Sequence, residues 1–384
     1  MADAPLAGLK VLEFARILAG PWAGQVLADL GADVIKIECP AGDDTRGWGP
    51  PFITRPDGSR DAAYFHATNR GKRSIALDFR DAEHQGQIRA MAAEADVVIE
   101  NFKVGGLRKY GLDYASLAAL NPRLIYCSIT GFGQTGPYAA RPGYDFIIQG
   151  MSGIMDLTGD PDGAPQKIGV AYADILTGLY AVIGIQAALR ERERSGEGQQ
   201  IDMALMDVMV GTLANQAMNY LTSGRPPTRM GNAHPNIAPY EAFPTQDSWI
   251  ILAVGSDQQF ARFCNVVGIA PDPDLATNTG RLARRDELSD RVASVTRNWR
   301  RADLLAALEQ AGVPAGPIND IGQAFEDPQV VYRGMRIDLS DEDGSLVPGV
   351  RLPVRFSRSP LAASGPAPTL PDAAAERPDG WLRV

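Results

Sequence analysis

The first half of the chain alternates short apolar runs with helix-length stretches, and this alternation constrains the fold more than any other feature. Lys10-Val11-Leu12-Glu13-Phe14, Asp33-Val34-Ile35-Lys36-Ile37, Ser74-Ile75-Ala76-Leu77-Asp78, Asp96-Val97-Val98-Ile99-Glu100 and residues 124–129 read as strands. Helix signals separate them. Ala23, Val26, Leu27 and Leu30 share one face after Pro21, with Gly31 as a C-cap, and a second helix is expected over 81–94. A further strand falls near 200–203. Strands joined by helices of this size need crossover connections, so the pattern predicts an α/β fold built on a parallel, doubly wound sheet.

Downstream, a helix from about Ile175 is apolar enough to be buried on most sides, and another is expected over 205–221 with Met209, Leu213, Ala217 and Leu221 in register. Ser223-Gly224-Arg225-Pro226-Pro227 then breaks the pattern and marks a boundary. Beyond it, Glu241-Ala242-Phe243 and residues 249–254 read as a β-hairpin, followed by helices over 257–267, 282–299 and 302–311. That block predicts a smaller α+β domain. The tail from Ser359, rich in Pro and Ala, is expected to pack little.

Composition excludes several classes of function. Among 384 residues, acidic side chains outnumber basic ones 46 to 37, and the net charge of -9 argues against nucleic-acid and anionic-membrane partners. The apolar run over 175–189 is short of the roughly 20 residues of a membrane span. Three Cys and three His lack metal-ligand spacing, so no metal is expected, and the cysteine usage fits a reducing compartment. With no basic or apolar leader at the start, the expected location is cytoplasmic.

The loop after the first strand, Ala15-Arg16-Ile17-Leu18-Ala19-Gly20-Pro21, is neither GxGxxG nor a P-loop, which speaks against a dinucleotide held by the usual glycine turn. A glycine-rich loop over 131–143 is either a ligand wall or a tight turn. Cys127 lies in an apolar strand and reads as an inert thiol. Asp174, at the start of the most apolar helix, has two readings: an N-cap, or an ionised carboxylate nucleophile beside a glycine-rich wall.

Taken in order, Leu18-Ala19-Gly20-Pro21, Leu30-Gly31-Ala32-Asp33, Asn69-Arg70-Gly71-Lys72-Arg73-Ser74, Glu100-Asn101-Phe102, Gly131-Phe132-Gly133-Gln134-Thr135-Gly136-Pro137, Ala173-Asp174-Ile175 and Gly312-Val313-Pro314-Ala315-Gly316-Pro317 resemble the class III CoA-transferases. This is the family of formyl-CoA:oxalate CoA-transferase and α-methylacyl-CoA racemase. Residues 231–243 resemble its branch that uses succinyl-CoA and dicarboxylate acceptors such as glutarate. The resemblance implies a large Rossmann-like domain over 1–222, completed by about 335–384. A linker at 223–232, a small α+β domain over 233–320 and a return linker at 321–334 would follow. It also implies a homodimer whose chains interlock as rings.

For chemistry, the resemblance makes Asp174 the nucleophile of a CoA-transferase that forms an aspartyl-CoA intermediate. Arg16, Leu18, Ala19, Leu77, Arg80, Asn101, Phe102, Lys109 and Tyr144 match segments that bind coenzyme A, and His234 with Arg16 is assigned to the acceptor carboxylate. Without the family, Arg80 and Lys109 read as solvated charges, Phe102 as core and His234 as a loop hydrogen bond. Two other functions are weighed. A racemase would need a His where this chain has Tyr144 before Asp145, and a non-catalytic acyl-CoA binding protein would need no Asp174. Two departures are visible: the formyl-CoA enzyme's glycine lid has no counterpart, and the tail diverges from the family pattern after Leu370.

Overall fold

Strand residues of alternating direction carry the core of this computed structural model, which describes residues 3–341, 344, 346–362 and 365–371. The divergent end of the tail, past 371, lies outside the described residues. Six strands, β1 (Lys10–Glu13), β2 (Asp33–Glu38), β3 (Arg73–Ala76), β4 (Val97–Glu100), β5 (Ile125–Thr130) and β6 (Gln200–Ala204), form one sheet. Every pairing in it is parallel, and the spatial order is β3-β2-β1-β4-β5-β6. That is the doubly wound order, with its reversal between β1 and β4.

Both faces of the sheet are covered. Val11, Val34, Val97, Ile99, Ile125 and Cys127 point to one side, and Leu12, Ile35, Val98 and Tyr126 to the other. The period of two is that of a strand buried on both faces. Helices α1 (Ala19–Asp29), α2 (Ala82–Glu94), α3 (Asp145–Met151), α4 (Tyr172–Ser195) and α5 (Leu205–Gly211) supply the covering layers. Residues of α1, α3, α4 and α5 join the first core, and Ile88, Met91 and Ala92 of α2 join the second.

The chain divides into two units. The larger holds the described residues within Met1–Ile154, Lys167–Met218 and Val331–Val384, and the smaller holds Met155–Gln166 and Asn219–Val330. In the smaller unit, strands Tyr240–Pro244, Trp249–Ala253 and Ala315–Pro317 make an antiparallel sheet with Trp249–Ala253 in the centre. Helices Asp257–Val267, Arg285–Thr296 and Arg301–Gln310 close over it through Phe263, Val292, Leu304 and Leu308.

Four expectations are corrected. The helix expected over 205–221 is two, because Ala214 takes a φ of 47° after α5 ends. The helix expected over 282–299 likewise divides at Arg284, between Asn278–Ala283 and Arg285–Thr296. Helix α4 is not buried on most sides: Ala181, Ile185 and Ala188 are covered, whereas Leu179, Tyr180 and Ile183 face outward. The tail from Ser359 does pack. Ala362 N–H donates to Asp29 O, Gly365 O accepts from Gly71 N–H, Pro368 O accepts from Arg46, and Ala367 is buried.

The contact that places the site is between α1 and α4. A Cβ at Gly178 would stand 2.7 Å from Ala19 O and 3.1 Å from Trp22 Cδ1, so only glycine lets these backbones approach. Gly178→Ala is expected to destabilise the protein by about 1–3 kcal/mol, as overpacking does. Thermal denaturation should show a Tm drop of roughly 2–8 °C; an unchanged Tm would contradict the tight contact.

Candidate active site

The carboxyl ends of β1 and β4 diverge where the strand order reverses, and a cavity of about 600 Å3 opens there within the larger unit. Its wall on one side is the turn from β1 into α1, Arg16 to Ala19; on another it is Asn101 and Phe102 after β4. Gly131, Arg141, Gly143, Tyr144 and Asp145 close the far side, with Trp48 and Asp174 completing the lining. Gly131 and Gly143 lie backbone to backbone, and a Cβ on either would overlap the other. The glycine-rich loop is thus a close-packed turn that also forms part of the cavity wall.

The turn into α1 is held in an unusual conformation. Ile17 has a φ of 71°, a left-handed value that costs a β-branched residue of order 1–3 kcal/mol. Asn101 brackets the preceding residue: its Oδ1 accepts from Arg16 N–H at 2.9 Å and its Nδ2 donates to Arg16 O at 2.6 Å. Phe102 N–H in turn donates to Glu100 Oε2 at 2.7 Å. Burial pushes the Glu100 carboxyl up to about 7.

Asp174 sits in the first turn of α4, but it is not the cap. Ala171 occupies the cap position without a side-chain bond, and Asp145 Oδ1 accepts from Ala173 N–H at 2.8 Å instead. Two aspartates therefore divide the work. Asp145 satisfies the helix end, and among the described residues the Asp174 carboxylate has no hydrogen bond or ion pair. Burial, then the neighbouring Asp145 charge, pushes the Asp174 carboxyl up to about 7. Burial and the charges of Asp174, Asp145 and Asp43 push the Tyr64 phenol up to about 12, so it stays a neutral donor.

Of the residues singled out in the sequence, Arg16, Leu18, Ala19, Asn101, Phe102, Tyr144 and Asp174 line this cavity. Leu77, Arg80 and Lys109 do not. Leu77 is buried in the second core. Arg80 is exposed and doubly bonded to Asp78, and Lys109 stands 4.6 Å over the Tyr110 ring. Phe102 and Tyr110 both pack on Phe79, at 5.6 and 6.3 Å, so an aromatic row leads from the cavity toward Lys109. His234 belongs to the smaller unit, where its Nδ1 accepts from Asn236 N–H at 3.1 Å and its ring lies 5.1 Å from Tyr240.

Sequence reasoning missed Trp48, Tyr64 and Arg141. Trp48 packs on Tyr64 at 5.3 Å; Arg141 lies 4.4 Å over Tyr138. A large aromatic residue inside a glycine- and proline-rich loop was the one available signal for Trp48.

Comparison with known proteins adds to this geometry. The family model for CoA-transferase family III matches residues 6–372. The succinate–glutarate CoA-transferase of Agrobacterium fabrum is 60% identical over 371 residues, covering 95% of this chain and 93% of that protein. The succinyl-CoA:glutarate CoA-transferase of Homo sapiens is 40% identical over 377 residues, covering 95% and 83%. A crystal structure of a CAIB/BAIF family protein from Brucella suis aligns with a TM-score of 0.87 at 61% identity, covering 97% of each chain.

The raised Asp174 value makes a stability prediction with a definite sign. Below the ordinary carboxylate value near 4, both folded and unfolded states hold the proton. As the pH rises toward 7 the unfolded chain releases its proton first, so the buried group's contribution to stability falls. Asp174→Asn removes that loss. Its Tm should exceed that of the wild type by a margin that grows from pH 4 to 7 and levels off above, reaching roughly 5 °C. A pH-independent margin would contradict the raised value.

Proposed function

The chain belongs to CoA-transferase family III, and from that premise we propose that it passes CoA from succinyl-CoA to glutarate through a thioester on Asp174. The observation that carries the reading is the Asp174 carboxylate, unbonded and on the cavity wall, while Asp145 takes over the helix end.

The route keeps every bond accounted for. An Asp174 oxygen attacks the thioester carbonyl, the C–S bond breaks, and the CoA thiolate leaves a succinyl–aspartyl anhydride. The thiolate attacks the aspartyl carbonyl, the anhydride C–O bond breaks, and succinate departs. The glutarate carboxylate then attacks the aspartyl thioester and releases the thiolate. Attack of that thiolate on the glutaryl carbonyl frees Asp174 and gives glutaryl-CoA. The thioester energy is retained because no step passes through water. The first turn of α1 lacks a side-chain cap, and its amides suit the oxyanion of each tetrahedral species.

For recognition, Asn101 and Phe102 would flank the pantetheine arm, and the aromatic row would carry it toward Lys109 and Arg80 for the phosphates. His234 is assigned to the distal carboxylate of the acceptor. We also assign a homodimer, a reading supported by the outward Leu179, Tyr180 and Ile183 of α4, which are 38%, 42% and 61% exposed.

Asp174→Ala should lower transfer by at least about a thousandfold while CoA binding stays within a few fold. Hydroxylamine or borohydride trapping followed by mass spectrometry should locate the adduct on Asp174; an adduct elsewhere, or an active variant, would reject the route. In a panel of glutarate, malate, citramalate, mesaconate and oxalate with succinyl-CoA, glutarate should give the highest kcat/KM. His234→Ala should raise the KM for glutarate about tenfold more than that for succinyl-CoA, and equal effects would remove it from acceptor binding.

A further inference from the structure

The strained turn at Ile17 has a second anchor besides Asn101. Ile17 N–H donates to Asp43 Oδ2 at 3.3 Å, across a stretch of the loop after β2. Asp43 is 3% exposed and tightly fixed itself. Its Oδ2 lies 3.0 Å from Lys36 Nζ, and its Oδ1 accepts from Thr45 N–H at 3.0 Å and Thr45 Oγ1 at 2.8 Å. The Asp43 N–H donates to Glu38 Oε2 at 2.8 Å.

Lys36, fully buried, connects this carboxylate to the end of β1. Its ammonium donates to Ala15 O at 2.7 Å and to Glu13 Oε1 at 3.2 Å. Glu13 also receives Lys72, at 2.9 Å, so the charges in the cluster balance. Burial opposes the Asp43 charge, and Lys36 and the Thr45 donors overcome it and hold the carboxyl below its usual range. A buried ionic cluster of this kind is weak evidence for stability alone. Here one of its members reaches the single cavity-wall residue, among the described residues, whose backbone is left-handed and not glycine.

We propose that Asp43 is a positioning residue for CoA transfer: through the Ile17 amide, with Lys36 behind it, it holds the strained turn that sets Leu18, Ala19 and the uncapped start of α1 into the wall of the Asp174 cavity. The proposal rests on the reading of that cavity as the site of transfer. It assigns to a charged cluster outside the cavity the work of pre-organising backbone inside it.

The test is a double-mutant cycle on the full chain with succinyl-CoA and glutarate, each variant also followed by thermal denaturation. Asp43→Asn should lower kcat by about 10–100-fold and change the KM for succinyl-CoA less than about threefold, as misplacement of a reacting wall does. Glycine adopts the left-handed conformation without strain, so Ile17→Gly should not lower the Tm. In the Ile17→Gly background, Asp43→Asn should cost at least about fivefold less in kcat than in the wild-type background. Equal losses in both backgrounds, or a Tm drop with kcat unchanged, would overturn the proposal. Should Asp43→Asn fail to fold, Thr45→Val removes one anchor of the same carboxylate. It should lower kcat a few fold in the wild-type background and much less beside Ile17→Gly; additive effects again count against it. An active Asp174→Ala would instead sink the site reading, so the two failures are distinguishable.

Discussion

Close backbone contact between α1 and α4 is the constraint on which the site depends. Gly178 lets the long helix lie on Ala19 and Trp22, and four residues earlier the same helix carries Asp174. Laid against α1 on one face, the helix sets its first turn at the cavity wall, where the Asp174 carboxylate loses solvent. Burial of Asp174 near that contact pushes its pKa up to about 7, and Asp145 takes the helix end in its place. A side chain at 178 would push the helices apart and hand Asp174 back to water.

The sheet was legible because its information is local. Each strand is a run of four to six residues whose alternate members point to opposite cores, and crossovers of helix length leave little choice of topology. Asp174 was legible too, though by motif; its local position suggested a cap. What overruled that reading is Asp145, 29 residues earlier and on another helix, which no window of sequence connects to Ala173. The same holds for Asp43, which accepts from Ile17 N–H across 26 residues of chain, from the loop after the neighbouring strand β2.

Other misreadings share a cause. The tail after Ser359 looked unpacked because Pro and Ala carry few side-chain handles, but its carbonyls serve Gly71 and Arg46 through the main chain. Leu77 belongs to a matching motif, and its side chain turns into the second core, a placement that no local pattern announces. Helix α4 was judged from apolar content, which does not say which apolar side chains meet the core and which stand outward.

The acidity of Asp174 has a further chemical meaning in the proposed anhydride. Its two carbonyls compete for the thiolate, and attack at each expels the other's carboxylate. An ordinary carboxylate, with a pKa of about 4.3, departs more readily than one pushed up to about 7. Attack at the succinyl carbonyl would expel Asp174 and merely restore the donor, while attack at the aspartyl carbonyl expels succinate and moves the reaction on. A buried nucleophile is therefore also a reluctant leaving group, and burial tilts the partition of the first intermediate forward.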